Sequence, residues 1–148
     1  MQFEVSSYAK INSFLNILGE RADGYHEIYT HFQLLDLKDT LFFSPSSQNH
    51  AFCDGITKEE NIILKSIKWF NNKFGKNQHF SVTVEKIIPI GAGLGGGSSN
   101  AAATLCFLCD YHGIERKLLD FHEISFELGA DIPIFIFGKS AFASGIGE

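Results

Sequence analysis

A chain of 148 residues, 45% hydrophobic and 20% charged, carries enough apolar surface for one folded domain and is not a disordered polymer. Its 12 basic and 17 acidic residues leave a net charge of −5, against the basic balance of a nucleic-acid binder, and no run nears the ~20 apolar residues of a membrane-spanning helix. Three cysteines (Cys53, Cys106, Cys109) behind the opening Met1-Gln2-Phe3-Glu4, which lacks a basic segment, argue against a secretory signal or disulfide framework and for the cytoplasm.

Residues 11–18 are rich in apolar side chains and read as a strand. Arg21-Ala22-Asp23-Gly24 is a turn signal before a second extended run at 28–37. Lys38-Asp39-Thr40 reads as a further turn into Leu41-Phe42-Phe43, and the polar stretch 44–55 as a loop with a short strand. Thr57 and Glu60 have capping-box spacing before a helix with Ile63, Ile67, Phe70 and Phe74 on one face. Gly75 can stop that helix, and its lysines, mixed with Glu59 and Glu60, form a solvated face. Phe80, Val82 and Val84 alternate with Ser81, Thr83 and Glu85, which gives a strand with one buried face, ended by Pro89.

A glycine-rich loop follows, then a small-residue helix over 98–112 closed by Gly113. A second amphipathic helix would set Leu118, Phe121, Ile124 and Leu128 on one side, closed by Gly129. Asp131-Ile132-Pro133 leads into Ile134-Phe135-Ile136-Phe137, a buried strand or a short turn plus strand. There is no repeat and no linker, so residues 1–148 form one domain. The order predicts an α+β fold with helices packed on one face of a largely antiparallel sheet.

The segment Pro89-Ile90-Gly91-Ala92-Gly93-Leu94-Gly95-Gly96-Gly97-Ser98-Ser99-Asn100-Ala101-Ala102 is the most informative. Glycine lets backbone approach a ligand closely, and successive N–H groups can converge on an anion. The open amides of the next helix carry partial positive charge, and Ser98 and Ser99 add hydroxyl donors. This is a coherent cradle for a di- or triphosphate; the bland reading is a mobile loop with a serine cap. A Walker A loop is excluded, because Gly97 stands where its lysine is required. Gly91-Ala92-Gly93-Leu94-Gly95-Gly96 matches the dinucleotide fingerprint, but Asp110, at the acidic spacing, falls near the helix end instead of a strand end. The protein-kinase motifs His-Arg-Asp and Asp-Phe-Gly do not occur.

This segment resembles the ATP-binding signature of the GHMP kinase superfamily. Three further segments resemble one branch of it: Ala9-Lys10-Ile11-Asn12-Ser13-Phe14-Leu15, Arg21-Ala22-Asp23-Gly24-Tyr25-His26-Glu27, and Leu128-Gly129-Ala130-Asp131-Ile132-Pro133 with the closing Gly145-Ile146-Gly147-Glu148. Ser13 replaces the usual leucine. The branch phosphorylates the 2-hydroxyl of a cytidine diphosphate derivative of a branched sugar alcohol, in the non-mevalonate route to isoprenoid precursors. The resemblance implies the superfamily's N-terminal ATP-binding domain, a ribosomal-protein-like α/β sandwich. It also implies a second, C-terminal domain beyond Glu148. Without that domain, weak ATP binding, little activity and self-association into a homodimer are expected. The alternatives are another GHMP small-molecule kinase or a non-catalytic nucleotide-binding module.

The resemblance also implies residue roles. Asp131 takes the proton of the attacking hydroxyl, while Lys10 keeps Asp131 ionised and stabilises charge on the transferring phosphoryl group. Asn12 contacts substrate near Lys10, Tyr25 stacks on the cytosine, and His26 pairs with its polar edge. Asn61 and Lys86 line the adenine pocket, and Mg²⁺ accompanies ATP. Local chemistry alone leaves other readings open: a turn cap for Asp131, a strand-edge lysine for Lys10, an interfacial core tyrosine for Tyr25, a first-turn helix residue for Asn61 and a solvated lysine for Lys86. Cys106, Cys109 and His112 lie at i, i+3 and i+6 of one helix, so the third is rotated about 120° from the first, and buried cysteines fit better than a zinc site.

Overall fold

A computed structural model describes residues 1–145; Ile146, Gly147 and Glu148 of the closing motif lie outside the described residues. Strands β1 (Phe3–Glu20) and β2 (His26–Ser46) form one long antiparallel hairpin, paired from Phe3 opposite Phe43 to Glu20 opposite His26. Register shifts between Tyr8 and Lys10, Asn12 and Phe14, and Ile17 and Gly19 bend β1 along its length. Then come β3 (His50–Phe52), α1 (Ile62–Phe74), β4 (His79–Glu85) and α2 (Gly96–His112). A 3-10 turn (Arg116–Leu118), α3 (Phe121–Glu127), α4 (Ile132–Phe137) and β5 (Ala141–Gly145) complete the described chain.

The sheet runs in the order β1-β2-β4-β3, with β5 added beside the first half of β2. All pairings are antiparallel except β3 with β4. The helices pack against this sheet, so the α+β architecture stands. The period-2 pattern of β4 turns Phe80, Val82 and Val84 inward. There they meet Leu41 and Phe43 of β2, Ile63, Ile67 and Phe70 of α1, and Leu105 and Leu108 of α2. Phe107 stacks on Phe43 with ring centroids 4.2 Å apart. Gly75 and Gly113 close α1 and α2 in the left-handed conformation, as their positions predict. Lys65, Lys68 and Lys73 lie on the exposed face of α1.

Four local expectations are corrected. Lys38-Asp39-Thr40 is not a turn: all three continue β2, paired with Tyr8, Ser7 and Ser6. The cap of α1 is Asn61, whose Oδ1 accepts the Ile63 N–H at 3.0 Å, whereas Thr57 bonds only the Glu60 carboxylate. The second amphipathic helix is broken in two, because Asp120 starts α3 by accepting the Glu123 N–H; Leu118 is exposed and Leu119 is buried in its place. Residues 132–137 form a helix, not a strand. Pro133 in the first turn costs no hydrogen bond there, and Gly138 ends it.

Candidate functional site

The loop predicted to cradle phosphate connects β4 to α2 and lines a cavity of about 330 Å³. Every residue from Pro89 to Ser98 contributes to its wall, with Ile56 and Lys86. Gly95 caps α2 at φ 69°, and a Cβ there would stand 2.7 Å from Phe135 Cζ and 3.1 Å from Lys10 Cε. Only glycine fits that position. The first intrahelical bond runs from Ser99 N–H to Gly95 O at 2.8 Å, so the amides before it are those a helix leaves open. Ser98 faces the cavity. Ser99 does not: it is buried, and its hydroxyl accepts from Ser7 at 2.8 Å.

Lys10 reaches this loop from β1. Its backbone N–H donates to Leu94 O at 2.9 Å, which ties the strand to the loop. Its ammonium lies 3.2 Å from Asp131 Oδ2, donates to Asn12 Oδ1 at 2.6 Å, and sits over the Phe32 ring. Asn12 in turn donates to Thr30 Oγ1 at 2.8 Å, and Thr30 donates to Phe14 O at 2.6 Å. Asp131 precedes α4 but makes no side-chain cap bond. Its carboxylate turns to Lys10, which disposes of the turn-cap alternative. The Lys10 side chain is 7% exposed and that of Asp131 36%, so the lysine is held by protein and the carboxylate is open to a ligand.

Lys86 also lies at the loop, within 2.9 Å of where a Cβ on Gly96 would stand, and pairs with the buried Asp39 at 2.6 Å. It is not a solvated strand lysine. Asn61 is not among the residues lining the loop cavity; it is buried at the start of α1, and its Nδ2 has no hydrogen-bond partner among the described residues. Tyr25 and His26 stand at the hairpin tip, ten residues along β1 from Lys10. Both are exposed, so Tyr25 is not a core residue. The Asp23 carboxylate accepts the Tyr25 N–H at 3.1 Å; that bond first, and Arg21 beside it, hold Asp23 below the usual carboxylate range. Tyr25 faces a cavity of about 530 Å³ shared with Arg21, Asp23, His122 and Phe126.

Cys109 is buried and Cys106 half-buried on α2, and burial pushes the Cys109 thiol up to about 11. Among the described residues, no three His, Cys, Asp or Glu side chains converge on a metal position. The residues that sequence reasoning missed are Asp39, Ser7, Asn100 and Thr30, all buried polar groups beneath the loop or beside Lys10. Asn100 lies within the glycine-loop motif, where nothing local marks it as part of a buried polar cluster. Asp39 was hidden in what reads as a turn.

The sequence model of the GHMP kinases N terminal domain matches residues 61–139. The 4-diphosphocytidyl-2-C-methyl-D-erythritol kinase of Francisella tularensis subsp. novicida (strain U112) is 49% identical over 148 residues, covering 96% of this chain and 54% of that protein. The protein of the same name from Colwellia psychrerythraea is 42% identical, covering 98% of this chain and 50% of its own length. A crystal structure of 4-(cytidine 5'-diphospho)-2C-methyl-D-erythritol kinase superposes with TM-score 0.82 at 36% identity, over 99% of this chain and 53% of that one. The chain thus spans about half the length of the relatives it matches.

Proposed function

Because the chain belongs to the GHMP kinase family by its N-terminal domain, we propose that it serves the transfer of the γ-phosphate of ATP to the 2-hydroxyl of 4-diphosphocytidyl-2-C-methyl-D-erythritol, a step of non-mevalonate isoprenoid precursor synthesis. The observation that carries the reading is the Lys10–Asp131 pair at 3.2 Å, tied through the Lys10 backbone to the glycine loop.

Phosphoryl transfer is chiefly positioning and charge stabilisation. The loop amides and Ser98 hold the triphosphate. The 2-hydroxyl oxygen bonds to the γ-phosphorus while the bond from that phosphorus to the β–γ bridging oxygen breaks. The hydroxyl proton passes to Asp131, and ADP departs. Lys10 stabilises the charge spreading over the transferring oxygens, and Asn12 fixes both the lysine and the nearby alcohol. Tyr25 offers a stacking face to cytosine, with His26 at its polar edge. The cavity that Tyr25 lines is also walled by Gly129 and Ala130, next to Asp131, which supports one cleft holding the base at Tyr25 and the alcohol at Asp131. Lys86 and Asn61 complete the adenine end. Mg²⁺ would accompany ATP and would supply charge neutralisation at its phosphates.

No described helix is long and apolar enough to cross a membrane. We place the reaction in the cytoplasm, without nucleic acid. Exposed Leu15, Ile17, Leu18 and Phe142 favour self-association into a homodimer. Transfer of label from γ-labelled ATP by the chain completed to the full length of its relatives, with mevalonate and homoserine as competing acceptors, tests the function. Label on the cytidine diphosphate compound alone supports it. Label on another alcohol, or on none, contradicts it.

A further inference from the structure

Beneath the glycine loop lies a fully buried carboxylate with no part in the reaction proposed above. Asp39, in the middle of β2, has no exposed surface. Its Oδ1 accepts the N–H groups of Ile87 and Ile88 at 2.7 and 2.8 Å. Its Oδ2 accepts from Lys86 Nζ at 2.6 Å. With its side-chain amide oriented so that the nitrogen faces the same cluster, Asn100 has Nδ2 3.1 Å from Asp39 Oδ2, 3.2 Å from Gly96 O and 2.7 Å from Ser7 Oγ, three acceptors around its two protons. The Ser7 hydroxyl passes on to Ser99. One carboxylate is therefore bonded to the segment entering the loop, to the lysine at its mouth, and to an asparagine in the first turns of the helix leaving it.

A buried charge is tolerated only when it is paired and its lone pairs are filled. A neutral side chain would satisfy a strand at this position more simply, so the ionic cluster calls for another reason. Ile87 and Ile88 belong to no strand or helix, and Asp39 supplies the acceptor for both their amides. Lys86, held at 2.6 Å, lines the loop cavity and packs against Gly96, where any side chain would displace it. We propose that Asp39 is a positioning residue: acting through Lys86 and the amides of Ile87 and Ile88, it fixes the shape of the loop for a nucleotide. This rests on the reading of the loop as a phosphate cradle.

Two measurements on the 148-residue chain test it: calorimetric titration with ATP, and amide hydrogen exchange without nucleotide. Asp39→Asn keeps the volume and an acceptor for the two amides but removes the charge facing Lys86. The expected result is at least a tenfold loss of ATP affinity, with faster exchange over residues 86–98 and unchanged exchange in α1. Lys86→Met should lose a similar factor. The double variant should bind ATP within twofold of Lys86→Met alone, because the two residues act as one unit. A purely structural role would instead slow or speed exchange across the core and give independent losses. ATP affinity within twofold of the parent for a folded Asp39→Asn chain, with exchange over 86–98 unchanged, overturns the proposal. If Asp39→Asn does not fold, Lys86→Met decides: affinity within twofold of the parent overturns it. If the parent itself binds no ATP, the cradle reading fails, and the exchange data still judge Asp39.

Discussion

The ammonium of Lys10 lies 3.2 Å from the carboxylate of Asp131, with the lysine enclosed by protein and the aspartate open on one side. Here the buried cation is also anchored to Asn12 and, by its backbone, to the glycine loop. In a chain completed to the full length of its relatives, Asp131→Asn should therefore leave ATP and substrate affinity near normal and slow transfer by about 10²–10⁴-fold, about 3–5.5 kcal/mol of barrier. Single-turnover label transfer measures it. Lys10→Met should act in the same direction, and the double variant should lose less than the product of the two. Transfer within threefold of the parent in Asp131→Asn would remove the proton-acceptor role.

Gly93→Val and Gly96→Val separate two ways of damaging the loop. Gly93 has φ 75° and open space around its Cβ position, so a side chain there meets only backbone strain and the ligand. At Gly96 a Cβ would stand 2.9 Å from Lys86 Nζ and 3.0 Å from Ile88 Cγ2. Both variants should lose ATP binding in a titration, and both should lower Tm, Gly93→Val through backbone strain and Gly96→Val through the contact with Ile88. Unchanged ATP binding in both would contradict the cradle.

The Oδ1 of Asn61 caps α1, while its Nδ2 is buried with no partner among the described residues; the proposed function gives that amide a contact to adenine. Asn61→Ser keeps a capping oxygen and deletes the amide nitrogen. We expect Tm nearly unchanged and ATP affinity reduced by up to about tenfold, the worth of one hydrogen bond of about 0.5–1.5 kcal/mol. A lower Tm with unaltered ATP affinity would make Asn61 a cap and nothing more.

Burial raises the Cys109 thiol from 9.0 to about 11, so the folded protein keeps its proton where the unfolded chain has released it. The unfolded state then binds fewer protons, and stability falls as pH rises. The contribution is complete below pH 9 and is lost as pH climbs toward 11. Denaturant midpoints at pH 8 and pH 11 should show a drop that is smaller in Cys109→Ala. A drop equally large in that variant would place the titration elsewhere.

How far the sequence reached depended on whether local pattern and tertiary position agreed. In β4 they agree: strict alternation of Phe80, Val82 and Val84 with polar residues can bury only one face. The glycine loop was legible because so many glycines before an Ala-rich helix have few other uses. Asp39 was not legible. A Lys-Asp-Thr triplet looks like a turn when nothing in the sequence reveals that Lys86 and two amides will surround it. The run Ile134-Phe135-Ile136-Phe137 has strand-like residues, yet Pro133 and Gly138 set a short helix whose Ile132, Ile134 and Ile136 are buried. The Lys10–Asp131 contact joins distant segments, so no local pattern carried it; the resemblance of two separate motifs to one family did.

If the glycine loop places a triphosphate beside the Lys10–Asp131 pair, a crystal structure of the chain with a non-hydrolysable ATP analogue will show it most directly. The α- and β-phosphates should lie on the amides of residues 95–98 and a γ-phosphate oxygen about 3 Å from Lys10 Nζ, within hydrogen-bond reach. A triphosphate bound away from the loop, or a γ-phosphate out of reach of both Lys10 and Asp131, would contradict it.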